Sequence, residues 1–60
     1  MNAALPSDPV ILMSFLNTKL RDSYDTLDAL CEDLELDPAE LTARLHAAGF
    51  DYVPEANQFR

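Results

Sequence analysis

Residues Thr26–Phe50 read TLDALCEDLELDPAELTARLHAAGF, and this stretch decides the fold. Its apolar residues recur at helical spacing in two groups, which are separated by Glu35-Leu36-Asp37. Two short amphipathic helices joined by a tight turn are typical of a helix-turn-helix unit. The first group consists of Leu27, Leu30, Cys31 and Leu34, and the second of Leu41, Leu45 and Ala48.

Start and stop signals delimit three helices along the chain. The pairs Asp8-Pro9 and Asp37-Pro38 each place an N-cap residue before a proline that suits the first helical position. Thr26 is an N-cap residue for the helix between them, and Gly49 suits a left-handed helix stop. We therefore predict a lead-in over residues 1–7 and helices over residues 9–21, 27–35 and 38–48.

The hydrophobic period changes after Gly49. Phe50-Asp51-Tyr52-Val53 alternates as a strand does, and Pro54-Glu55-Ala56-Asn57 is typical of a turn. Residues 50–60 are predicted to form a short C-terminal β-hairpin or an extended segment. The predicted fold is mainly α, a compact three-helix domain of residues 1–60 with helix-turn-helix-like second and third helices. Its predicted core is Leu12, Phe15, Leu16, Leu20, Leu27, Leu30, Cys31, Leu34, Leu41, Leu45 and Phe50.

The length of 60 residues limits the stability that one core can supply. A chain of this size buries about 60% of the surface that its unfolded form exposes, and its core rarely supplies more than about 3–5 kcal/mol. The single cysteine, Cys31, excludes an internal disulfide, and with one histidine it is too little for a four-ligand zinc site. Helix packing or oligomerisation remains as the source of additional stability.

The net charge of −7 disfavours polyanionic partners such as nucleic acids and anionic membranes. Eight acidic residues and no Lys or Arg lie between Asp22 and Ala43. The first residues, MNAALPSDP, lack the basic region and long apolar run of a secretory signal, and Val10–Met13 is far too short to span a membrane. We expect a soluble, reduced, cytoplasmic protein without a membrane association.

The chain resembles a small bacterial family known as domain of unknown function 4250. The resemblance extends from Leu5 to Phe59 and implies a compact single-domain bacterial protein, with no established activity to transfer. The segments that carry it are Asp8-Pro9, Asn17-Thr18-Lys19-Leu20-Arg21-Asp22, Leu27-Asp28-Ala29-Leu30-Cys31-Glu32-Asp33-Leu34, Gly49-Phe50-Asp51-Tyr52 and Asn57-Gln58-Phe59.

The first helix has an apolar arc of about 200°, compared with about 100° or slightly more for a helix that buries one face. Two further short helices do not cover so wide an arc. Because large exposed apolar patches mark interaction sites, we predict a homodimer or a complex with another protein. The candidate partner contacts are Val10, Ile11, Met13 and Phe15.

A second interpretation is a winged-helix-like DNA-binding transcriptional regulator. The third helix would then lie in the major groove, and the hairpin would act as a wing. Thr42, Arg44 and His46 would read bases, but only Arg44 on that face readily neutralises a phosphate. Because non-specific affinity for DNA comes from several released counterions, the charge favours a protein-interaction or accessory domain over this alternative.

No catalytic, metal or cofactor site is predicted, and no small-molecule substrate is evident. Cys31 lies mid-helix on the apolar face, where a core role is favoured over that of a nucleophile with His46 as base. The acidic residues from Asp28 to Asp37 do not fit the calcium-loop template, which needs a glycine at its bend and a glutamate at its closing position. Counted from Asp33, these two positions hold Pro38 and Arg44. A solvated helix face is the favoured interpretation of this cluster.

The one cationic spot consists of Asn17, Lys19 and Arg21. Arg21 lies near the C-terminus of the first helix, where positive charge is stabilising, and it could pair with Asp22 or Asp25. This spot is the candidate contact for a small anion or for a carboxylate of a partner. The single glycine in the chain excludes a glycine-rich phosphate loop.

Overall fold

Three helices and a two-stranded antiparallel sheet follow one another in a computed structural model, which describes residues 5–60. The predicted fold class is confirmed, and each helix end lies within two residues of its predicted position. The lead-in predicted over residues 1–7 lies partly outside the described residues. The elements are α1 (Pro9–Asp22), α2 (Leu27–Leu34), α3 (Pro38–His46), β1 (Tyr52–Val53) and β2 (Gln58–Phe59).

Each helix begins at the cap residue that the sequence predicts. The Asp8 carboxylate accepts hydrogen bonds from the backbone N–H groups of Val10 and Ile11, at 2.8 and 3.2 Å. The Thr26 hydroxyl accepts one from Ala29 at 3.1 Å, and Asp37 accepts one from Ala39 at 2.9 Å. These bonds satisfy backbone donors that have no partner inside their own helix.

The second and third helices end in the same backbone motif. After α2 the N–H of Leu36 donates to the carbonyl of Cys31 at 2.8 Å, and Glu35 has a left-handed φ of 59°. After α3 the N–H of Phe50 donates to the carbonyl of Leu45 at 2.9 Å, and Gly49 has a φ of 91°. Both ends follow the Schellman pattern, so Glu35 occupies a conformation that glycine adopts at lower cost.

The C-terminal segment forms the hairpin that the alternating pattern predicts. Tyr52 lies opposite Phe59, and Val53 lies opposite Gln58. Between the strands, Pro54 begins a turn in which the N–H of Ala56 donates to the carbonyl of Val53 at 3.1 Å. Proline suits this position because its fixed φ matches the turn. The hairpin packs against α1, so it covers part of the wide apolar arc.

The observed core contains most of the predicted residues and differs from the prediction in which aromatic side chains are fully buried and in the position of Leu34. Eight of the eleven predicted residues are buried, whereas Phe15, Leu34 and Phe50 are partly buried and pack against the others. Phe59, which is not among the eleven predicted core residues, is 1% exposed. Ala48 is exposed, because α3 ends at His46 and the following residues turn away towards β1. The buried set is Leu12, Leu16, Leu20, Leu27, Leu30, Cys31, Leu41, Leu45 and Phe59.

Among the helices that the structure describes, none combines the length and the apolar character needed to cross a bilayer.

Substituting Glu35→Gly is expected to stabilise the fold. A left-handed backbone costs a residue with a side chain about 1–2 kcal/mol, whereas the flexibility of glycine in the unfolded chain offsets about 0.4–1 kcal/mol of that gain. The net increase in unfolding free energy is about 0.5 kcal/mol, which raises the Tm by about 2–4 °C in a domain of this size. Thermal melts followed by circular dichroism measure the change.

The matched control is Glu35→Gln, which removes the same negative charge and keeps the side chain. It should leave the Tm below that of Glu35→Gly. An equal rise in both variants would assign the effect to charge rather than to the backbone.

Candidate functional sites

The side chain of Asn17 joins α1 to the last strand. Its Nδ2 donates to the carbonyl of Phe59 at 3.1 Å, and its Oδ1 accepts from the N–H of Phe59 at 2.7 Å. This amide therefore pairs with Phe59 as the backbone of a neighbouring strand would. The contact fixes β2 against α1 and occupies the carbonyl and one of the two N–H donors of the amide that was predicted to contact an anion.

A second amide, that of Asn57, closes the other end of the hairpin. Its Nδ2 donates to the backbone carbonyls of Leu20 and Tyr24, at 3.2 and 3.0 Å. Its Oδ1 accepts from the Tyr52 hydroxyl at 2.6 Å, and that hydroxyl accepts from the N–H of Leu27 at 3.3 Å. The network links the end of α1, the start of α2 and the hairpin in one partly buried site.

A polar groove of about 430 Å³ lies between the C-terminal half of α1 and the hairpin turn. Two of the three residues predicted to contact an anion, Asn17 and Arg21, line it, whereas Lys19 does not. The Lys19 ammonium lies over the Phe15 ring, 5.7 Å from its centroid. The lining residues are Asn17, Thr18, Leu20, Arg21, Asp25, Ala56, Asn57 and Gln58.

Arg21 is engaged at the edge of this groove. Its Nε lies 2.9 Å from Oδ1 of Asp22, and its Nη2 donates to Oδ2 at 3.3 Å. This hydrogen-bonded pair raises the pKa of Arg21 and lowers the pKa of Asp22. Of the two partners that the sequence allowed, Asp22 is the one that Arg21 contacts. An incoming anion would therefore compete with a carboxylate that is already in place.

The N-terminal half of α1 carries the predicted partner contacts. Val10 and Ile11 are 55% and 58% exposed, and they are the large apolar residues that the described chain exposes most. Met13 and Phe15 are partly buried and pack against the core. The four residues therefore divide into an exposed pair at the first turn of the helix and a half-covered pair behind it.

The residues proposed to read DNA each have a hydrogen-bond partner within the described chain. The Thr42 hydroxyl donates to backbone carbonyls of its own helix, and Nη2 of Arg44 donates to the carbonyl of Pro6 at 3.2 Å. Nδ1 of His46 lies 2.6 Å from a carboxylate oxygen of Asp51. The one cation on this face thus ties the segment before α1 to α3.

Cys31, the candidate nucleophile, lies in the core, whereas the acidic residues of α2 lie on the surface. Cys31 is buried, and this burial raises the pKa of its thiol, as do the negative charges of Asp28 and Asp37. The acidic side chains of α2 are exposed. Across residues 5–60, no three Asp, Glu, His or Cys side chains are grouped so that they could hold a metal ion.

Near the same helix, the Tyr24 hydroxyl donates to Asp33 at 2.5 Å. This bond raises the pKa of Tyr24, because ionising the phenol would remove the proton that it donates; desolvation and the negative charge of Asp33 act in the same direction. The contact fixes the connection between α1 and α2 to the acidic face of α2.

The packing of Tyr52 against the helices is as expected from the sequence, whereas the hydrogen bonds of its hydroxyl and of the Asn57 amide were not predicted. The predicted turn over Pro54-Glu55-Ala56-Asn57 ends in a residue type that suits it: Asn57 has a φ of 52°, and asparagine tolerates that conformation better than most residues. A turn that ends in Asn57 was therefore readable, whereas the partners of its side chain lie 33 and 37 residues away in sequence.

The chain belongs to the family described as Domain of unknown function (DUF4250), whose model matches residues 6–59. No curated protein and no solved structure shows a significant match to the chain. The family resemblance predicted from the sequence is therefore confirmed.

Substituting Asn57→Gly is expected to lower the unfolding free energy by about 2 kcal/mol. Glycine keeps the left-handed backbone and removes three partly buried hydrogen bonds, each of which contributes about 0.5–1.5 kcal/mol. Urea denaturation followed by circular dichroism measures the loss.

Glu55→Gly serves as the control, because it adds a glycine at an exposed position of the same turn. A loss of equal size in both variants would attribute the effect to glycine flexibility and contradict the role of the amide.

Proposed function

We propose that this protein is a small, acidic, cytoplasmic protein-interaction domain, whose partner contacts the N-terminal half of α1. The observation that carries the proposal is the exposure of Val10 and Ile11 side by side on the first turn of that helix. The partner is a second copy of the chain or another protein. Met13 and Phe15, which are partly exposed, extend the contact along the helix.

Local structure gives no reason for two β-branched residues at this place. Valine and isoleucine lose rotamer freedom in a helix and rank below Ala, Lys and Glu in helix propensity. In water their exposed methyl groups contribute nothing to the stability of the monomer. A partner that covers them would bury apolar surface worth about 25 cal/mol per Å², which is a physical reason for their presence.

The charges support a protein partner over DNA. Lys and Arg number four against eleven Asp and Glu. Arg44 already donates to the carbonyl of Pro6, and the carboxylate of Asp51 lies against His46. A DNA-binding face needs several cations that can replace counterions at phosphates, and dimerisation would double the excess of negative charge.

We further propose that the domain has no catalytic activity. Cys31, the sole thiol, is buried and has a raised pKa, which is opposite to what activates a nucleophile. A buried reduced thiol also accords with the proposed cytoplasmic location, where disulfides are rare.

The double variant Val10→Ser, Ile11→Ser tests the interaction surface. Both positions are exposed, so the unfolding free energy should change by no more than about 0.5 kcal/mol. Affinity capture from cell extract and light scattering should show that the variant loses the partner protein, or the dimer, that the parent chain retains.

The control is the double variant Ala43→Ser, Ala47→Ser, which changes two exposed positions on and just after α3. It should retain the partner. Equal retention by the α1 variant would contradict the proposal.

A low-salt gel shift with random duplex DNA tests the alternative, because tight, salt-sensitive binding would favour the DNA-binding regulator.

Cys31 should alkylate slowly in the folded protein. Its raised pKa leaves less thiolate at any given pH than a free cysteine has, and the rate should rise towards alkaline pH later than that of a cysteine-containing peptide. Iodoacetamide labelling between pH 7 and pH 10, read by mass spectrometry, measures the difference.

The Cys31→Ala variant should lose stability, because it removes a buried side chain from the core, and it should keep its partner. A loss of partner binding at unchanged stability would contradict the packing role of Cys31.

A further inference from the structure

The two outer edges of the hairpin are not equivalent. Asp51 and Arg60 exchange two backbone hydrogen bonds, each of 2.9 Å, and the next opposed pair is Tyr52 with Phe59. Bonded and non-bonded pairs alternate along an antiparallel ladder. The backbone N–H and C=O of Tyr52 and of Phe59 therefore point away from the hairpin, towards opposite edges.

Asn17 closes the edge at Phe59, since its amide takes both backbone groups of that residue. At the other edge, no hydrogen bond from any residue in the range 5–60 reaches the backbone N–H or C=O of Tyr52. Pro54 follows two residues later and has no N–H to offer. The open edge is thus one residue long and presents one donor and one acceptor.

An apolar cleft of about 310 Å³ adjoins this open edge. Its volume is at the lower end of the range for ligand pockets, and it is large enough for one or two side chains. Leu27, Tyr52 and Pro54 are the apolar and aromatic residues of its lining, and the exposed Asp28 is the charged one. Thr26 completes the lining.

We propose that β1 binds an extended cationic peptide segment of another protein by strand addition at Tyr52. The peptide residue opposite Tyr52 exchanges both main-chain hydrogen bonds with it. Cross-strand neighbours share a face of the sheet, so the side chain of that residue lies beside the Tyr52 ring, which reaches Leu27. An apolar side chain there enters the cleft.

Asp28, the acidic residue that lines the cleft, is the reason that we expect a positively charged partner peptide. Peptide residues two positions before and after the central one lie on the same face, and a Lys or Arg at one of them reaches the Asp28 carboxylate. Glu32 lies one turn further along the same exposed side of α2. A second copy of the chain, with its net charge of −7, would instead bring acidic residues together at this edge.

The site is separate from the α1 surface that contains Val10 and Ile11, so either proposal can fail alone. The test is an NMR titration of the isotope-labelled chain with the capped peptide Thr-Lys-Thr-Val-Thr-Lys-Thr. The amide of Tyr52 should shift downfield in a saturable manner as it gains a hydrogen-bond partner. The amides of Leu27 and Asp28 should shift with it, while those of Val10 and Ile11 remain unchanged.

Two control peptides separate main-chain from charge recognition. N-methylation of the central Val removes one hydrogen bond and should weaken binding about tenfold. Replacing both Lys residues with Glu should weaken it at least as much. In the protein, Asp28→Asn should weaken binding about threefold, and Glu32→Gln should weaken it less.

Three results would overturn the proposal. The first is no shift of the Tyr52 amide at millimolar peptide, and the second is equal binding of the N-methylated peptide. The third is cross-strand contacts between the Tyr52 residues of two copies without peptide, which would assign the edge to self-association.

Discussion

The paired hydrogen bonds between the Asn17 amide and the backbone of Phe59 hold the last strand against the first helix. A two-stranded ribbon is marginal on its own, so the hairpin depends on this contact and on the burial of Phe59. The helices depend on it equally, because Phe59 is the one aromatic side chain among the fully buried residues described. Helix packing and the hairpin therefore stabilise each other.

The features that the sequence predicts well are those with local causes. Asp8, Thr26 and Asp37 cap helices within three residues of themselves, so their roles are readable from short patterns. Seven of the eight leucines of α1, α2 and α3 are buried as the helical period predicts, and the eighth, Leu34, is partly buried. Most of the fold follows from these two kinds of signal.

The features that the sequence does not predict have partners far away along the chain. Asn17 lies on the polar strip of α1, where its residue type suggests a surface or ligand contact, and its partner is 42 residues distant. The complete burial of Phe59 has no local signal, because its strand of two residues is too short to show a period. The open edge at Tyr52 cannot be predicted from the sequence either, because it depends on the register of the two strands and on which edge of the hairpin Asn17 contacts.

The sequence distance between Asn17 and Phe59 also has a consequence for synthesis. Chains grow at about 5–20 residues per second, so about 2–8 seconds separate the emergence of these two residues from the ribosome. Helices of this length form within about a microsecond. During that interval Leu12, Leu16 and Leu20 lack Phe59, with which they share the core of the folded protein. The nascent chain is therefore most open to chaperones and to aggregation while its last strand is still being made.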